Sequence, residues 1–448
     1  MKKRIILSVG AVFTAAAVVL SGCGAKKTSG GSVTTVTVWS SDGSGKSTWE
    51  ELTKNFNETT GKEKGIAIEW ITYGGSELGT VVDVAQKNGQ LPELCNLTAN
   101  QEKKFIRSGD IIAIDDLEGG KEFIEEYNPL KFNGVNYVDG KLYRIYTKIN
   151  TAGLIYNKDL FKKAGIVDEN GEAKPPKTLA ELREDAKKIT DAKKGIYGYS
   201  LPIKGGLGYI IQSPLTRPFG ENVYDYDNAS VSFESMQKKV EFIKSIKDDA
   251  SILPGPDSVD NDTSRAYFAE GIIGMMAGID WDVGVLATQF VAKCDWDVVP
   301  YPSEDGSDTH KSWIQYSGGI HITKNAKNVP DDKIMEVYKF IHSVDTQKAF
   351  YERGIVIPCK EEVLNSVDKS KLPVQFLHFA ELYDVNQSVT RYPSLAVEGD
   401  SSDIVWKRVI GGELSADKAR SDLEKRYSEA LKKGIENGDV DVSLYKQQ

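Results

Sequence analysis

Cysteine and histidine are scarce, four of each in 448 residues. Cys95, Cys294 and Cys359 lie far apart, none in a Cys-x-x-Cys pair and each near apolar neighbours. That argues against a disulfide framework and predicts buried, inert thiols. His310, His321, His342 and His378 have no ligand spacing, so no zinc or other metal is expected. No motif implies a cofactor. Basic runs are also missing: 56 Lys and Arg face 65 Asp and Glu, a formal charge of −9. Setting aside Lys2, Lys3 and Arg4 leaves 53 cations against 65 anions, a net of −12. Such a surface repels phosphate backbones and argues against nucleic-acid binding. His-Glu-x-x-His, Gly-x-Ser-x-Gly and nucleophile groupings are absent. What remains is 40% hydrophobic and 27% charged. That is too apolar for disorder and too long for one ordinary core, so two or three domains are expected.

The start of the chain reads as a leader. Lys2, Lys3 and Arg4 form a charged region, residues 5–20 are apolar, and Leu20-Ser21-Gly22-Cys23 closes the stretch. Small residues directly before a cysteine resemble a bacterial lipobox, in which the chain is cut before the cysteine and its sulfur is acylated. Residues 1–22 are then a lipoprotein signal peptide and 23–32 (CGAKKTSGGS) a flexible tether. No later apolar run approaches the length of a bilayer span.

From residue 33 the pattern alternates strand and helix. Residues 33–39 (VTTVTVW) are β-branched and alternating, which predicts a strand. A helix follows with Trp49, Leu52 and Phe56 on one face, then strands at 66–72 and after Pro92. This βαβαβ order favours a parallel sheet covered on both faces. A second unit starts near residue 150. Its clearest signal is Thr178 with Glu181 three residues later, a capping box before Leu179, Leu182, Ala186 and Ile189. Helices are expected over about 234–247, 332–342, 346–353 and 415–433.

Several segments together resemble the sugar-binding proteins of ABC importers, solute-binding protein family 1, relatives of maltose-binding protein. They are Gly140-Lys141-Leu142-Tyr143, residues 151–161 (TAGLIYNKDLF), Pro176-Lys177-Thr178, Phe268-Ala269-Glu270-Gly271 with Met275, Met276 and Trp281, and Gly318-Gly319-Ile320-His321-Ile322. LIYNKDLF is the most specific. The resemblance implies an α/β fold, two-lobed and periplasmic-binding-protein-like, with hinge strands and a ligand cleft between the lobes. Lobe one is expected at 33–146 and 273–323, lobe two at 147–272 and 324–448. It further implies a non-catalytic, monomeric binder of a sugar, expected to be an oligosaccharide. The chain would be lipid-anchored through Cys23 at the extracellular face of the bacterial cell membrane and serve permease subunits.

A sugar cleft needs aromatic plates for C–H faces and polar groups for hydroxyls, and open α/β sheets place ligands beyond strand C-termini. The candidates are therefore Trp39, Ser41 and Asp42 after the first strand, Tyr73 and Glu77 after the second, and Asn100 and Gln101 after the third. Asp280, Trp281 and Asp282 follow a returning strand, and Tyr316, Gly318 and Gly319 precede another. Core packing is the competing role for each aromatic; the resemblance sets a ligand-stacking tryptophan at Trp281. It also sets Asn150 where a sugar-bonding acid often stands, and Asn100 and Gln101 where maltose-binding protein carries an Asp-Arg pair. Arg391 is a candidate from the second lobe.

Rival readings exist. Residues 40–47 (SSDGSGKS) are one residue short of a P-loop, with Ser40 where the first glycine belongs, and 111–115 has the outline of a Walker B strand. A surface glycosidase needs only two carboxylates, and another polar solute would suit the same family. Asp257, Asp260 and Asp262 could hold calcium, although a solvated turn without the loop glycine is the plainer reading. The leader yields a test. Cys23→Ala should release or mislocalise the protein in fractionated cells; a variant that stays membrane-bound beside unprocessed wild type contradicts the lipobox.

Overall fold

The computed structural model describes residues 33–204, 224–306, 314–382, 393 and 395–444. The leader, the tether and Cys23 lie outside the described residues, as does Arg391.

The chain opens with the predicted strand, Thr34–Ser40, an inner strand of a five-stranded sheet. Ile66–Thr72 pairs with it in parallel along one edge and Leu94–Cys95 along the other. His321–Thr323 then runs antiparallel between Leu94–Cys95 and Ile111–Ile112. Val36 and Val38 point to one face, fully buried, against Trp49, Phe56, Ile334, Tyr338 and Phe350. The opposite face carries Leu78, Val82 and Phe105 from the helices Gly75–Asn88 and Ala99–Ser108. Both faces are covered by helices, as a parallel βαβ run requires.

Strand Lys148–Asn157 belongs to two neighbourhoods at once. Its first half pairs with Ile314–Ser317 and Ile357–Pro358. Its second half pairs with Ile273–Ile279 and Trp296–Val299, and Ile273–Ile279 pairs in parallel with Tyr197–Ser200. Leu154, Tyr156, Leu182, Val240, Met275 and Trp406 form the second lobe's core. Nine of the strand's ten residues are buried. The chain therefore crosses between lobes three times, at the start of this strand, at Ile314–Ser317 and at Ile357–Pro358. Thr178 caps helix Leu179–Ile189 as predicted, accepting from the Glu181 N–H at 3.1 Å. Cys95 is buried, and burial pushes its thiol up to about 12.

The lobe boundaries differ from the expectation. Ile273–Ile279 and Trp296–Val299, expected in lobe one, lie in the second sheet. Helices Asp331–His342 and Val344–Glu352, expected in lobe two, pack Ile334, Ile341 and Phe350 against the first sheet. An apolar strand such as 273–279 has the same period in either sheet, and only its hydrogen-bond partners decide where it belongs.

At the second crossing Gly318 and Gly319 adopt φ of 70° and 78°. A Cβ on Gly319 would lie 2.0 Å from the Ile145 carbonyl oxygen. Gly319→Ala should therefore lose roughly 2–4 kcal/mol of stability from strain and overlap. Urea unfolding is the check; a midpoint equal to wild type would mean the backbone relaxes there.

Candidate ligand-binding site

The C-terminal ends of the first lobe's parallel strands bring Trp39, Ser41, Asp42, Tyr73 and Asn96 to one rim. Trp39 and Tyr73 are both half-buried and meet edge to face, centroids 5.5 Å apart, on the Leu78–Phe105 cluster. Asn96 ties this rim to the crossing. Its Nδ2 donates to the Gly319 carbonyl at 2.6 Å, and its Oδ1 accepts from the Ser41 N–H at 3.1 Å.

Asp42 turns back over the start of helix Lys46–Glu58. Its carboxylate accepts from Ser44 Oγ at 3.1 Å, the Gly45 N–H at 3.3 Å and Trp49 Nε1 at 3.3 Å. Lys148 Nζ stands 3.5 Å away. Burial alone would raise this carboxyl, but the Lys148 charge and the three donors hold it below its ordinary value. The carboxylate thus takes up the Gly45 N–H, a backbone donor that a P-loop would turn toward a phosphate. The Walker B counterpart is also engaged, because Asp115 accepts from the Leu142 N–H at 2.7 Å. The nucleotide reading loses both of its parts.

The floor between the lobes is polar and closed. Asn150 is 7% exposed; its Nδ2 lies 3.2 Å from both oxygens of Asp280, and its Oδ1 accepts from Ser317 Oγ at 2.5 Å. Asp280, 1% exposed, also accepts from the Thr151 N–H at 3.1 Å. Thr151 Oγ1 in turn donates to the Phe379 carbonyl at 2.7 Å. Burial of Asp280, opposed by these donors and by the Lys148 charge, pushes its carboxyl up to about 7.

Other predicted residues are engaged structurally. Asp282 is buried and accepts from Arg265 Nε and the Ile279 N–H, each at 2.8 Å, which pins the turn on which Trp281 stands. Trp281 itself is half-buried, directly before helix Asp282–Thr288. Gln101 is a helix cap: its Oε1 accepts from the Thr98 N–H at 3.2 Å and its Nε2 donates to the Gly79 carbonyl at 2.8 Å. Glu77 is exposed and accepts from the Gly74 N–H at 3.4 Å at a helix start. Gly319 donates its N–H to Thr147 Oγ1 at 3.2 Å, so both its backbone groups are engaged, and with Gly318 it serves the turn. Tyr316 packs 5.2 Å from Phe132 and 6.1 Å from Tyr146. Asn100 lies in helix Ala99–Ser108. The acidic turn is engaged too: Asp260 caps helix Asn261–Ala269 through the Thr263 N–H at 2.9 Å, and Asp262 pairs with Arg265 at 2.9 Å.

Composition and spacing missed a buried charged group behind the first lobe's rim. Arg144 Nη2 donates to Glu102 Oε2 at 2.7 Å and to Tyr146 Oη at 2.8 Å, and its guanidinium lies 4.3 Å from the Tyr146 ring centre. His321 Nε2 is 3.1 Å from Glu102 Oε1. Burial holds His321 below its ordinary value, so at pH 7 it is neutral and Arg144 is the counter-ion. Lys148 and Ser317 were also missed. Nothing in the spacing of these residues marks them, since Glu102, His321 and Asp42 each reach their partners from a segment distant in sequence.

Two α/β lobes joined by three crossings, with polar groups between aromatic-bearing strand ends, form the two-lobed architecture of solute-binding proteins. Residues 40–348 match the family described as bacterial extracellular solute-binding protein, and the chain belongs to it. It is 25% identical over 380 residues to a maltotriose-binding protein of Pyrococcus abyssi, covering 82% of this chain and 76% of that one. The GacH receptor of Streptomyces glaucescens, solved unliganded and with acarbose, superposes with a TM-score of 0.70 at 23% identity, covering 89% of this chain and 98% of that one. An ABC transporter solute-binding protein of Thermotoga lettingae, bound with α-D-tagatose, gives 0.67 at 20% identity, over 89% and 100%.

The capping role of Gln101 generates a test. Gln101→Ala should lose about 1–2 kcal/mol of stability, typical of a helix cap with a buried partner left unpaired. Its ligand affinity should stay within about twofold of wild type, since stability and binding are carried by different groups. Calorimetry beside thermal melting reads both; a large affinity loss with an unchanged melt would restore Gln101 to the ligand.

Proposed function

We propose that this chain is the binding component of an ABC importer for a carbohydrate, expected to be an oligosaccharide. It is held at the outer face of the bacterial membrane through an acylated Cys23 and delivers its ligand to permease subunits as a monomer, with no chemistry of its own. The observation that carries this reading is the distribution of aromatics: half-buried Trp39 and Tyr73 at the first lobe's rim, half-buried Trp281 at the second, and the polar crossing between them. Sugars need both surfaces, flat faces for C–H groups and fixed polar partners for hydroxyls. The names of the relatives add support, because maltotriose, acarbose and tagatose are all carbohydrates or carbohydrate mimics. Closure of the lobes around the ligand would be a hinge motion about the three crossings.

A calorimetric screen of mono- and oligosaccharides tests the reading. Binding near micromolar, about −8 kcal/mol, is the expected range for a few stacked rings and paired hydroxyls. Response to ATP–Mg or a polyamine and to no carbohydrate would sink it in favour of another polar solute. Trp281→Ala should weaken carbohydrate binding by roughly 2–4 kcal/mol, as loss of a binding hot spot does. Its ligand-free melting temperature should hardly move, whereas a core tryptophan would cost about 3–5 kcal/mol.

A further inference from the structure

We propose that Asp280 is a positioning residue for ligand capture, whose proton sets the direction of the hydrogen-bond relay Asp280–Asn150–Ser317 and so decides whether Ser317 offers the cleft an acceptor or a donor. This rests on the reading of the crossing as the ligand cleft.

The relay joins three elements. Asp280 ends strand Ile273–Ile279, Asn150 lies on strand Lys148–Asn157, and Ser317 ends strand Ile314–Ser317. Asn150 and Asp280 are buried, while Ser317 is partly exposed. With Asp280 charged, every donor points toward it: the Thr151 N–H at 3.1 Å, Asn150 Nδ2 at 3.2 Å, and Ser317 Oγ toward Asn150 Oδ1 at 2.5 Å. Ser317 has then committed its only hydrogen and can only accept from a ligand.

A proton taken from water reverses the sense. Protonated Asp280 donates from one oxygen and still accepts the Thr151 N–H with the other. Asn150 suits both states, because a half-turn of its amide presents Oδ1 to Asp280 and Nδ2 to Ser317 Oγ. Ser317 then accepts from Asn150 and is free to donate toward the cleft. No backbone bond needs to break.

The surroundings leave this proton exchangeable. On the same strand as Asn150, Lys148 faces the group, but its charge is shared with Asp42 at 3.5 Å. Asp282, two residues on, is paired with Arg265 at 2.6 Å. His378 of helix Val374–Glu381 is held by Asp297 at 2.6 Å. Strand Ile314–Ser317 brings Tyr316 and no formal charge. Among the described residues Asp280 thus has neutral donors and no counter-ion of its own, in keeping with a carboxyl raised to about 7.

The sign follows from linkage. A folded-state value above the unfolded one means the folded chain holds the proton longer. Asp280 therefore stabilises fully below its ordinary carboxylate range, and that contribution is lost as pH rises through about 7. The difference in ligand-free melting temperature between wild type and Asp280→Asn should shift against wild type from pH 5 to pH 8. Ser317→Ala should keep the wild-type slope, because its Asp280 still titrates. With maltotriose as probe, wild-type affinity should change by about fivefold across the same range, the worth of one hydrogen bond. Both variants should be flat. Parallel melting curves for wild type and Asp280→Asn overturn the proposal, as does a Ser317→Ala affinity that follows the wild-type pH profile. If neither maltotriose nor any other sugar in the screen binds, the carbohydrate reading fails, and the ligand-free curves still decide whether Asp280 carries the exchangeable proton.

Discussion

The backbone ladder of strand Lys148–Asn157 is the constraint on which the rest depends. Ten consecutive residues, almost all buried, must have their N–H and C=O groups paired, and no one pair of neighbouring strands supplies the partners along the whole length. The first lobe's return segments take one half and the second lobe's strands take the other. The two lobes are consequently joined by hydrogen bonds in the crossing as well as by covalent chain. A hinge built this way can flex in its flanking loops, yet it cannot slide, because a one-residue slip would bury unpaired groups and reverse every side chain.

Residues expected to touch ligand divide according to this constraint. Those on or beside the crossing, Asn150, Asp280, Gly318 and Gly319, have their polar groups committed to joining segments. Those on strand ends away from it, Trp39, Tyr73 and Trp281, retain partly open faces. Asp42 stands between the sets, at a strand end, with its carboxylate accepting from the Gly45 N–H and facing Lys148 on the crossing strand. The site is thus a rigid polar floor with aromatic edges, and pre-organisation of that kind limits the entropy lost when a ligand is ordered.

Much of this was legible from residue pattern. The alternation of 33–39, the Thr178 and Glu181 capping pair, and the amphipathic helices toward the end of the chain each rest on local period and local hydrogen bonding. Family resemblance added the two lobes. What could not be read was partnership between distant segments. Strand 273–279 has no feature that distinguishes one sheet from the other, and Gln101 looks like a rim amide until Gly79 is brought to its Nε2. Asp282 is as acidic on paper as any sugar-binding carboxylate, and its role is decided by Arg265, seventeen residues earlier.

The placement of helices Asp331–His342 and Val344–Glu352 against the first sheet bears on the order in which the protein can fold as it is made. The opening strands emerge first, but the apolar face of Val36 and Val38 has no complete cover until Tyr338 and Phe350 have followed, some three hundred residues later. A nascent amino-terminal segment cannot close its core alone, so contacts of long sequence separation must govern the rate. Until those helices arrive, the opening strands present an apolar sheet face that only later synthesis can cover.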